Sequence, residues 1–328
     1  MRALITGVNG QDGSYLAELL LSKGFEVHGT IRRASVPNLQ RIEHLKDKIT
    51  LHYGDMADAT SLHRAVALSE PDHVYNLAAM SDVRVSFDVP MYAAQVDAVG
   101  PLGLLEAVRL EAPGARFYQA GSSEMFGMNP EVPCNEGSAF YPGSPYAAAK
   151  VMAFHCTKNY REAYDMFAVN GILFNHESER RGVEFVTRKV SKAVARLVQG
   201  VSGNLVLGDL KPKRDWGYAP DYVEAMYLML TADEPDDYVV ATGETHSVEE
   251  FLNVAFGHVG LDWRKHVSFD ASFFRPTDPP VLLGDPSKAR NVLGWKPKVH
   301  FEELVRRMVD SDCRAETFTQ LGLKASSE

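Results

Sequence analysis

Short apolar runs alternate with segments of helical periodicity through the first half of the chain. Each run is bounded by glycine or polar residues, which predicts buried strands at residues 3–6, 26–31, 50–53, 73–77, 116–120 and 167–172. Between them, apolar residues three and four apart predict helices at residues 12–23 and 61–68. This alternation is typical of an α/β fold in which a doubly wound parallel sheet is covered by helices on both faces.

The segment 90–110 has the pattern of one long helix, but it contains Gly100 and Pro101. A proline inside a helix lacks the N–H that the hydrogen-bond ladder needs, which costs about 3 kcal/mol. We therefore predict a kink or a break at this point of the helix.

From about residue 175 the alternation fades, and stretches rich in glycine, proline and charge appear, such as residues 208–217. Amphipathic helices are predicted near residues 248–259 and 301–313. We interpret residues 1–174 as a first domain, to which residues 214–242 return. Residues 175–213 and 243–328 then form a smaller α/β domain that faces the substrate.

The chain of 328 residues is 45% hydrophobic and 23% charged, the balance of an ordinary soluble globular protein. Its net charge of −9 argues against general nucleic-acid binding, although a few local arginines can still hold an anionic ligand. No charged leader precedes a long apolar run, and no apolar stretch is long enough for a bilayer. Because Cys134, Cys156 and Cys313 lack metal-ligand spacing, we predict a cytoplasmic protein with reduced thiols, no metal and no membrane contact.

Three glycines, Gly7, Gly10 and Gly13, follow the first predicted strand and open the first predicted helix. At this spacing the backbone turns tightly and approaches a pyrophosphate, which the free N–H groups of the helix N-terminus bind. A glycine triplet by itself is a weak signal, but its place between strand and helix supports a Rossmann-type dinucleotide site. We assign Gln11 and Asp12, which lie between the glycines, to the same site.

The second predicted strand runs into Arg32 and Arg33. An acidic residue there would hydrogen-bond the ribose hydroxyls of NAD, whereas arginines suit the 2′-phosphate of NADP. We predict NADP, and the alternative is a pair of solvated surface arginines. The other predicted cofactor contacts lie after the third and fourth strands or on the next helix: Asp55, Met56, Leu77, Ala78, Ala79, Ser81 and Tyr92.

Ser122 and Glu124 follow the fifth predicted strand, and Tyr146 and Lys150 lie one turn apart at the start of a helix. A nearby ammonium and an oxidised nicotinamide would lower the pKa of Tyr146, which makes it a usable base, with Ser122 as the hydroxyl donor. Alcohol oxidation needs no carboxylate, but elimination of water does, because a C–H proton must leave and the departing hydroxyl must be protonated. Glu124 therefore favours a dehydratase, and the alternative is a polar loop residue.

The sequence resembles the GDP-mannose 4,6-dehydratase family over nearly the whole chain. The resemblance rests on residues 10–16, 31–35, 123–127, 171–178, 185–189 and 214–218. It implies an extended short-chain dehydrogenase that acts on a GDP-sugar in three steps. These are oxidation at C4 with Tyr146 and NADP⁺, loss of the C5 proton and the C6 hydroxyl through Glu124, and return of the hydride to C6. The implied product is GDP-4-keto-6-deoxymannose.

The resemblance also implies roles for further residues, with His176 and Arg181 in contact with the cofactor. The residues implied to line the GDP-sugar pocket are Ser81, Asn175, Lys189, Arg214 and Arg275. For Arg214 and Arg275 the alternative is a salt bridge that packs the domains. The loop from Arg32 to Ser35 is similar to one that reaches a neighbouring subunit's cofactor site, which implies a homodimer or homotetramer.

Several positions depart from the family pattern. Met80 loses an amide and Asp82 adds a charge beside the expected sugar, and Glu179 and residues 278–280 also differ. These departures leave the sugar open to another GDP-hexose or a GDP-heptose. A GDP-sugar C4 oxidoreductase or epimerase would not need Glu124. A non-catalytic NADP-binding scaffold would have no need for the four catalytic residues together.

Overall fold

The computed structural model describes residues 1–36, 38–129, 131–270 and 276–320. The strands are β1 (Arg2–Thr6), β2 (Glu26–Ile31), β3 (Ile49–Tyr53), β4 (His73–Asn76), β5 (Arg116–Ala120), β6 (Ala168–Leu173), β7 (Asn175–Glu177), β8 (Leu205–Leu207), β9 (Lys213–Arg214), β10 (Trp216–Tyr218), β11 (Asp237–Val240), β12 (His246–Ser247), β13 (Val267–Phe269) and β14 (Val281–Leu282). The helices are α1 (Gln11–Ser22), α2 (Ala59–Ser69), α3 (Val83–Asp88), α4 (Pro90–Ala94), α5 (Gly100–Glu111), α6 (Pro145–Tyr164), α7 (Val186–Val198), α8 (Ala219–Thr231), α9 (Val248–His258), α10 (Ser287–Leu293) and α11 (Phe301–Gln320).

A parallel sheet in the order β3-β2-β1-β4-β5-β6-β11 forms the centre of the molecule. β1 pairs with both β2 and β4, so the strand order reverses at β1. The strands predicted for the first half are confirmed, with ends that move by a residue: the third begins at Ile49 and the fourth ends at Asn76. The fold is therefore the predicted Rossmann-type, doubly wound α/β fold.

The alternation of side chains along β1 divides the core between the two faces of the sheet. Ile5 packs with Leu16 of α1 and Met226 of α8 on one face. Leu4 packs with Leu62 of α2 and with residues of α5 on the other. Each side chain of this kind that is fully buried contributes about 1.5–3 kcal/mol to folding. The sheet edge that carries the first glycines is thus held from both sides.

The predicted break in the long helix takes the form of a π turn at Gln95–Val99, between α4 and α5. Gly100 N–H bonds to the carbonyl of Gln95, one residue further back than in an α-helix, and Pro101 follows at once. The wider turn lets the helix continue past a proline that cannot donate a hydrogen bond. It also brings Asp97 inside the molecule, where its side chain is buried.

A second cluster of helices packs beside the sheet and has its own apolar core. α7 packs on α11 and α9, and Trp216, Phe251 and Phe301 fill the space between them. Short strands border this core: β8 pairs with β13, and β9 lies between β12 and β14. In the described part of the chain, the two predicted amphipathic helices correspond to α9 and α11.

Between these two clusters the chain returns to the first sheet. α8 packs on α1, and β11 extends the sheet as the parallel neighbour of β6. Arg161 fixes β11 through two hydrogen bonds to Asp237, of 3.0 and 2.9 Å, and Asn170 adds a third of 2.9 Å. None of the described helices combines the length and the apolar composition of a membrane span.

Candidate active site

A cavity of about 1410 Å³ opens at the carboxyl ends of the central strands. Its walls come from the loops after β1, β2, β3, β4 and β5 on one side, and from β7, α7 and the segment around residues 206–216 on the other. In doubly wound sheets, ligands bind at this end, where the strand order reverses. The cavity is therefore where the predicted site residues have to meet.

The glycine loop after β1 is shaped by contacts that a side chain would prevent. Gly7 has a φ of +66°, and a Cβ there would lie 3.0 Å from the Cα of Ala78. A Cβ on Gly13 would lie 2.4 Å from the Gly7 carbonyl oxygen, which accepts a 2.9 Å bond from Gly10 N–H. The loop therefore closes tightly and presents the N-terminus of α1 to the cavity, as a pyrophosphate requires.

Asp12 and His176 form a partly buried ion pair between the first turn of α1 and β7, with side chains that are 21% and 11% exposed. His176 Nε2 lies 2.8 Å from Asp12 Oδ2, and Nδ1 lies 2.7 Å from the Phe174 carbonyl oxygen. Because both partners only accept, both ring nitrogens donate and the imidazole is charged. Burial lowers the pKa of His176, but the Asp12 carboxylate has the larger effect, so the pKa of His176 is raised. Burial likewise raises the pKa of Asp12, but the His176 imidazolium has the larger effect, so the pKa of Asp12 is lowered.

Gln11 strengthens the same junction. Its Nε2 donates to the His176 carbonyl at 3.1 Å, and its Oε1 accepts from Ser178 Oγ at 2.8 Å. Although all three residues line the cavity, hydrogen bonds between α1 and β7 occupy the side chains of Gln11, Asp12 and His176. Their first task is to hold the glycine loop against β7.

The two arginines after β2 differ in where they lie. Arg32 lines the cavity and donates to the hydroxyl of Tyr92, whereas Arg33 is not part of the wall and donates to the Ala34 carbonyl. Sequence reasoning missed Arg41, which lines the same wall and donates to the Arg180 carbonyl at 2.7 Å. The sequence did indicate it, because Arg41 is a third arginine shortly after Arg32 and Arg33.

The loop after β4 lies along the cavity because Thr6 holds it. Thr6 Oγ1 accepts from the backbone N–H groups of Leu77 and Ala78 at 3.0 and 3.1 Å and donates to Asn76. The predicted cofactor contacts that this loop and the loop after β3 bring to the cavity wall are Asp55, Met56, Leu77, Ala78, Ala79 and Ser81.

Ser122, Glu124, Tyr146 and Lys150 all line the cavity, and Tyr146 interacts with each of the other three. α6 begins at Pro145, and Ser144 caps it by accepting from Ala147 N–H at 3.1 Å, which places Tyr146 in the first turn and Lys150 in the second. Ser122 Oγ accepts from Glu124 N–H at 3.2 Å at the start of a short 3₁₀ turn. All four side chains therefore stand on the ends of rigid elements.

The ammonium of Lys150 lies behind the tyrosine ring. Lys150 Nζ donates to the Ala120 carbonyl at 2.9 Å and is 5.7 Å from the centre of the Tyr146 ring. Burial lowers the pKa of Lys150, and the Asp97 carboxylate opposes this change. The structure therefore places a buried acid within electrostatic reach of the predicted catalytic lysine.

The surroundings of Tyr146 within the chain raise its pKa. Burial is the main cause, and the carboxylates of Asp97 and Glu124 add to it. The hydrogen bond to Ser122 and the charge of Arg181 lower the pKa but do not compensate. This direction is opposite to the lowering predicted from the sequence. That prediction included the positive charge of an oxidised nicotinamide, which would lower the pKa of Tyr146.

On the opposite wall lie Asn175, Lys189 and Arg214. Asn175 Oδ1 is buried and accepts no hydrogen bond from the described residues. Arg214 donates to the Pro279 carbonyl at 2.9 Å and pairs with Asp278 at 2.5 Å, which is the packing salt bridge named above as its alternative. The predicted substrate contact Arg275 lies outside the described residues.

The departures from the family pattern have different surroundings. Glu179 accepts from the hydroxyls of Tyr15 and Tyr218 at 3.1 and 3.2 Å, so it joins α1 to β10. Met80 and Asp82 line the cavity, and Asp82 also caps α3 by accepting from Val85 N–H at 3.1 Å. Met80 and Asp82 belong to the loop after β4, and two further departures, Asp278 and Pro280, line the same cavity.

The reversal of strand order, the glycine loop and the Ser122, Tyr146 and Lys150 constellation define an enzyme of the extended short-chain dehydrogenase class, with Glu124 as an added acid. The model of the family described as GDP-mannose 4,6 dehydratase matches residues 4–308. The chain belongs to this family.

Relatives of known name agree with this membership. The chain is 56% identical over 322 residues to GDP-mannose 4,6 dehydratase 1 of Arabidopsis thaliana, covering 94% of this chain and 89% of that protein. It is 50% identical over 337 residues to GDP-mannose 4,6 dehydratase of Homo sapiens, covering 94% and 91%. Among solved structures, UDP-glucose 4-epimerase of Thermus thermophilus in complex with NAD superposes with a TM-score of 0.83 at 30% identity, covering 95% of this chain and 99% of that one.

Proposed function

We propose that this protein is a GDP-sugar 4,6-dehydratase that converts GDP-mannose into GDP-4-keto-6-deoxymannose. The observation that carries the proposal is Glu124, which lines the cavity with Ser122, Tyr146 and Lys150 and whose negative charge acts on Tyr146. The family, and relatives that carry the name GDP-mannose 4,6 dehydratase in plants and animals, support the same reaction. Arginine and lysine on the wall suit a diphosphate.

The glycine loop fits a nicotinamide dinucleotide, because a Cβ at Gly7 or Gly13 would strike the backbone of Ala78 or Gly7 and prevent the tight turn that brings the start of α1 to the cavity. We propose NADP, held at its pyrophosphate by α1 and at its 2′-phosphate by Arg32, with Arg41 on the same wall. When bound, the oxidised cofactor supplies a hydride acceptor at C4 and, once reduced, a hydride donor at C6.

The chain's own residues perform the proton chemistry. Tyr146 removes the proton of the C4 hydroxyl, Ser122 donates a hydrogen bond to the C4 oxygen, and Lys150 supplies positive charge behind the ring. The C4 ketone makes the C5 proton acidic. Glu124 then takes that proton and gives a proton to the C6 hydroxyl, which leaves as water. In the last step the proton that Tyr146 took from the C4 hydroxyl returns to C5, either directly or through Glu124.

The remaining assignments belong to the same proposal. Residues 1–174 with 214–242 form the cofactor domain, and residues 175–213 with 243–328 form the GDP-sugar domain. Both domains contribute to the sugar site, the first through Ser81 and Arg214 and the second through Asn175, Lys189 and Arg275. The exposed loop from Arg32 to Ser35 is proposed to meet a second subunit in a cytoplasmic homodimer or homotetramer. Light scattering at several protein concentrations tests the assembly, and a monomer at every concentration would refute it.

The decisive experiment is to incubate the purified protein with GDP-mannose and NADP⁺ and to follow the nucleotide-sugar by mass spectrometry. Loss of one water without net NADPH supports the dehydratase. The variant Glu124→Gln is expected to stop before elimination and to accumulate NADPH absorbance, and full dehydration by this variant would remove Glu124 from its role. Oxidation without loss of water by the unmodified enzyme would instead indicate a C4 oxidoreductase or epimerase.

Met80 and Asp82 on the cavity wall favour a second candidate for the sugar. A carboxylate beside the sugar accepts hydrogen bonds from hydroxyl groups, so a GDP-heptose, with one more hydroxyl-bearing carbon, is the alternative substrate. The same mass-spectrometric assay with GDP-mannose and a GDP-heptose in competition decides between them. Preference for the heptose that is lost in Asp82→Ser would support the alternative.

A further inference from the structure

Asp97 is a buried acid that the proposed reaction does not use. Its side chain is 1% exposed, and it lies in the π turn between α4 and α5. Oδ1 accepts from Met80 N–H at 2.9 Å, whereas Oδ2 is buried with no hydrogen-bond partner among the described residues. An unsatisfied buried carboxylate oxygen is costly, so its retention calls for an interaction that compensates.

The compensating charge is on the helix that faces the π turn. The π turn packs against α6, which carries Tyr146 and Lys150, and the Asp97 carboxylate interacts electrostatically with both. Lys150 is itself buried and donates to the Ala120 carbonyl. A buried ammonium needs a counter-charge to stay protonated, and Asp97 is the acid that interacts with it.

The other charged groups on the elements around the π turn have partners elsewhere. The pairs are Tyr92 with Arg32, Glu106 with Arg109 and Tyr160, Glu111 with His63, Lys158 with Glu162, and Arg161 with Asp237. His155 packs its ring against Phe154, and the loop after β4 offers Asp97 the backbone N–H of Met80. Lys150 and Tyr146 are therefore the groups through which a charge on Asp97 acts.

Resting on the dehydratase function above, we propose that Asp97 is a positioning residue for the reaction. Its carboxylate, fixed by the π turn and by Met80 N–H, keeps the Lys150 ammonium charged and in place and thereby sets the pH range over which Tyr146 works. The arrangement needs Asp97 to be ionised when the enzyme is active. Burial raises the pKa of Asp97 to about 6, against the opposing effects of Lys150 and the Met80 N–H, so the carboxyl group is charged above that pH.

The variant Asp97→Asn separates charge from structure, because its amide oxygen can still accept from Met80 N–H. Without the negative charge, Lys150 and Tyr146 both lose their protons more easily. Both limbs of the pH–rate profile for dehydration should therefore move to lower pH, by about one unit, which is a roughly tenfold loss of rate on the alkaline flank. Below about pH 6 the two profiles should converge, since the native carboxyl group is neutral there.

Two further measurements complete the test. Asp97→Ala also removes the acceptor for Met80 N–H, so it should lower kcat beyond the loss seen in Asp97→Asn. Tyrosinate absorbance of the NADP⁺-bound protein, with Tyr146→Phe as the blank, reports the titration of Tyr146 without any substrate. It should move to lower pH in Asp97→Asn, even if GDP-mannose proves not to be the substrate.

The outcomes separate the two proposals. If the unmodified enzyme dehydrates no GDP-sugar, the proposed function fails, and the tyrosinate titration alone decides the role of Asp97. If the Asp97→Asn profile and titration coincide with those of the unmodified enzyme, Asp97 has a structural role only and the inference is overturned. Equal losses of rate in the Asn and Ala variants, without movement along the pH axis, would overturn it as well.

Discussion

The ion pair between Asp12 and His176 makes a prediction that depends on pH. In His176→Gln, Asp12 stays largely buried, with 21% of its side chain exposed, but loses its charged partner, a change that costs about 3–5 kcal/mol in fully buried pairs. Because Gln11 still donates to Asp12 at 2.9 Å, we expect the lower end, about 3 kcal/mol at pH 5.5. Loss of the ring stacked on Tyr222, at 4.6 Å, adds a part that does not depend on pH.

The sign follows from the two pKa shifts. His176 has a raised pKa, so its contribution is complete below its ordinary value of 6.5 and is lost as the pH rises through the folded-state pKa. Asp12 has a lowered pKa, so its contribution is complete above 3.8 and is lost as the pH falls. The difference between native protein and variant should be largest between these values. Above pH 6.5 it should shrink by at most about 1.4 kcal/mol per pH unit.

Urea unfolding of the cofactor-free protein at pH 5.5, 7 and 8.5 measures this difference. His258→Gln is the matched control, because His258 also binds an aspartate, Asp310 at 2.7 Å, but at the surface, where the two side chains are 27% and 51% exposed. An exposed pair contributes about 0–1 kcal/mol. Similar losses in the two variants, or a loss in His176→Gln that is the same at every pH, would refute the reasoning.

Two predictions concern the cofactor. Arg32→Ala should weaken NADP⁺ binding at least about tenfold while leaving NAD⁺ binding nearly unchanged, as measured by calorimetry. The control is Arg33→Ala, because Arg33 is not part of the cavity wall. An unchanged preference for NADP⁺ in Arg32→Ala would contradict the 2′-phosphate assignment. Gly13→Ala should weaken the binding of either cofactor at least about tenfold, because the new Cβ would lie 2.4 Å from the Gly7 carbonyl oxygen. The control is Gly257→Ala, whose Cβ meets nothing within 4 Å and which should leave stability unchanged or slightly raised. Normal affinity in Gly13→Ala would show that the loop adapts to a side chain.

Local pattern was sufficient for the sheet and for the meeting of the four proposed catalytic residues. Strands of a parallel sheet end at the same edge. The residues that follow β5 and those at the start of α6 therefore meet at that edge, independently of distant segments of the chain. The glycine loop is largely local, since Gly10 and Gly13 contact only Gly7 and Val8, whereas Gly7 also meets Ala78 in the loop after the adjacent strand β4. Sequence reasoning is strongest where one short segment supplies both the geometry and the chemistry.

Pairings between distant segments could not be predicted. Asp12 and His176 are 164 residues apart, and nothing near Asp12 indicates that its carboxylate is used by β7 and not by a ligand. Arg214 and Asp278, which are 64 residues apart, illustrate the same limit. Pro101 was a local signal for irregularity, but the choice of a π turn depends on α6 packing against it. Such choices are made by tertiary packing, which local propensity does not contain.

The late arrival of β11 has a consequence for synthesis on the ribosome. β6 is buried along its whole length, and one of its edges has to wait for a strand that ends 67 residues later, at Val240 against Leu173. At about 5–20 residues per second, the emerging chain carries this apolar, unpaired edge for roughly 3–13 s. During that interval the exposed edge of β6 can pair with a strand of another chain. Ribosome-associated chaperones and fewer ribosomes per message should therefore raise the yield of soluble protein.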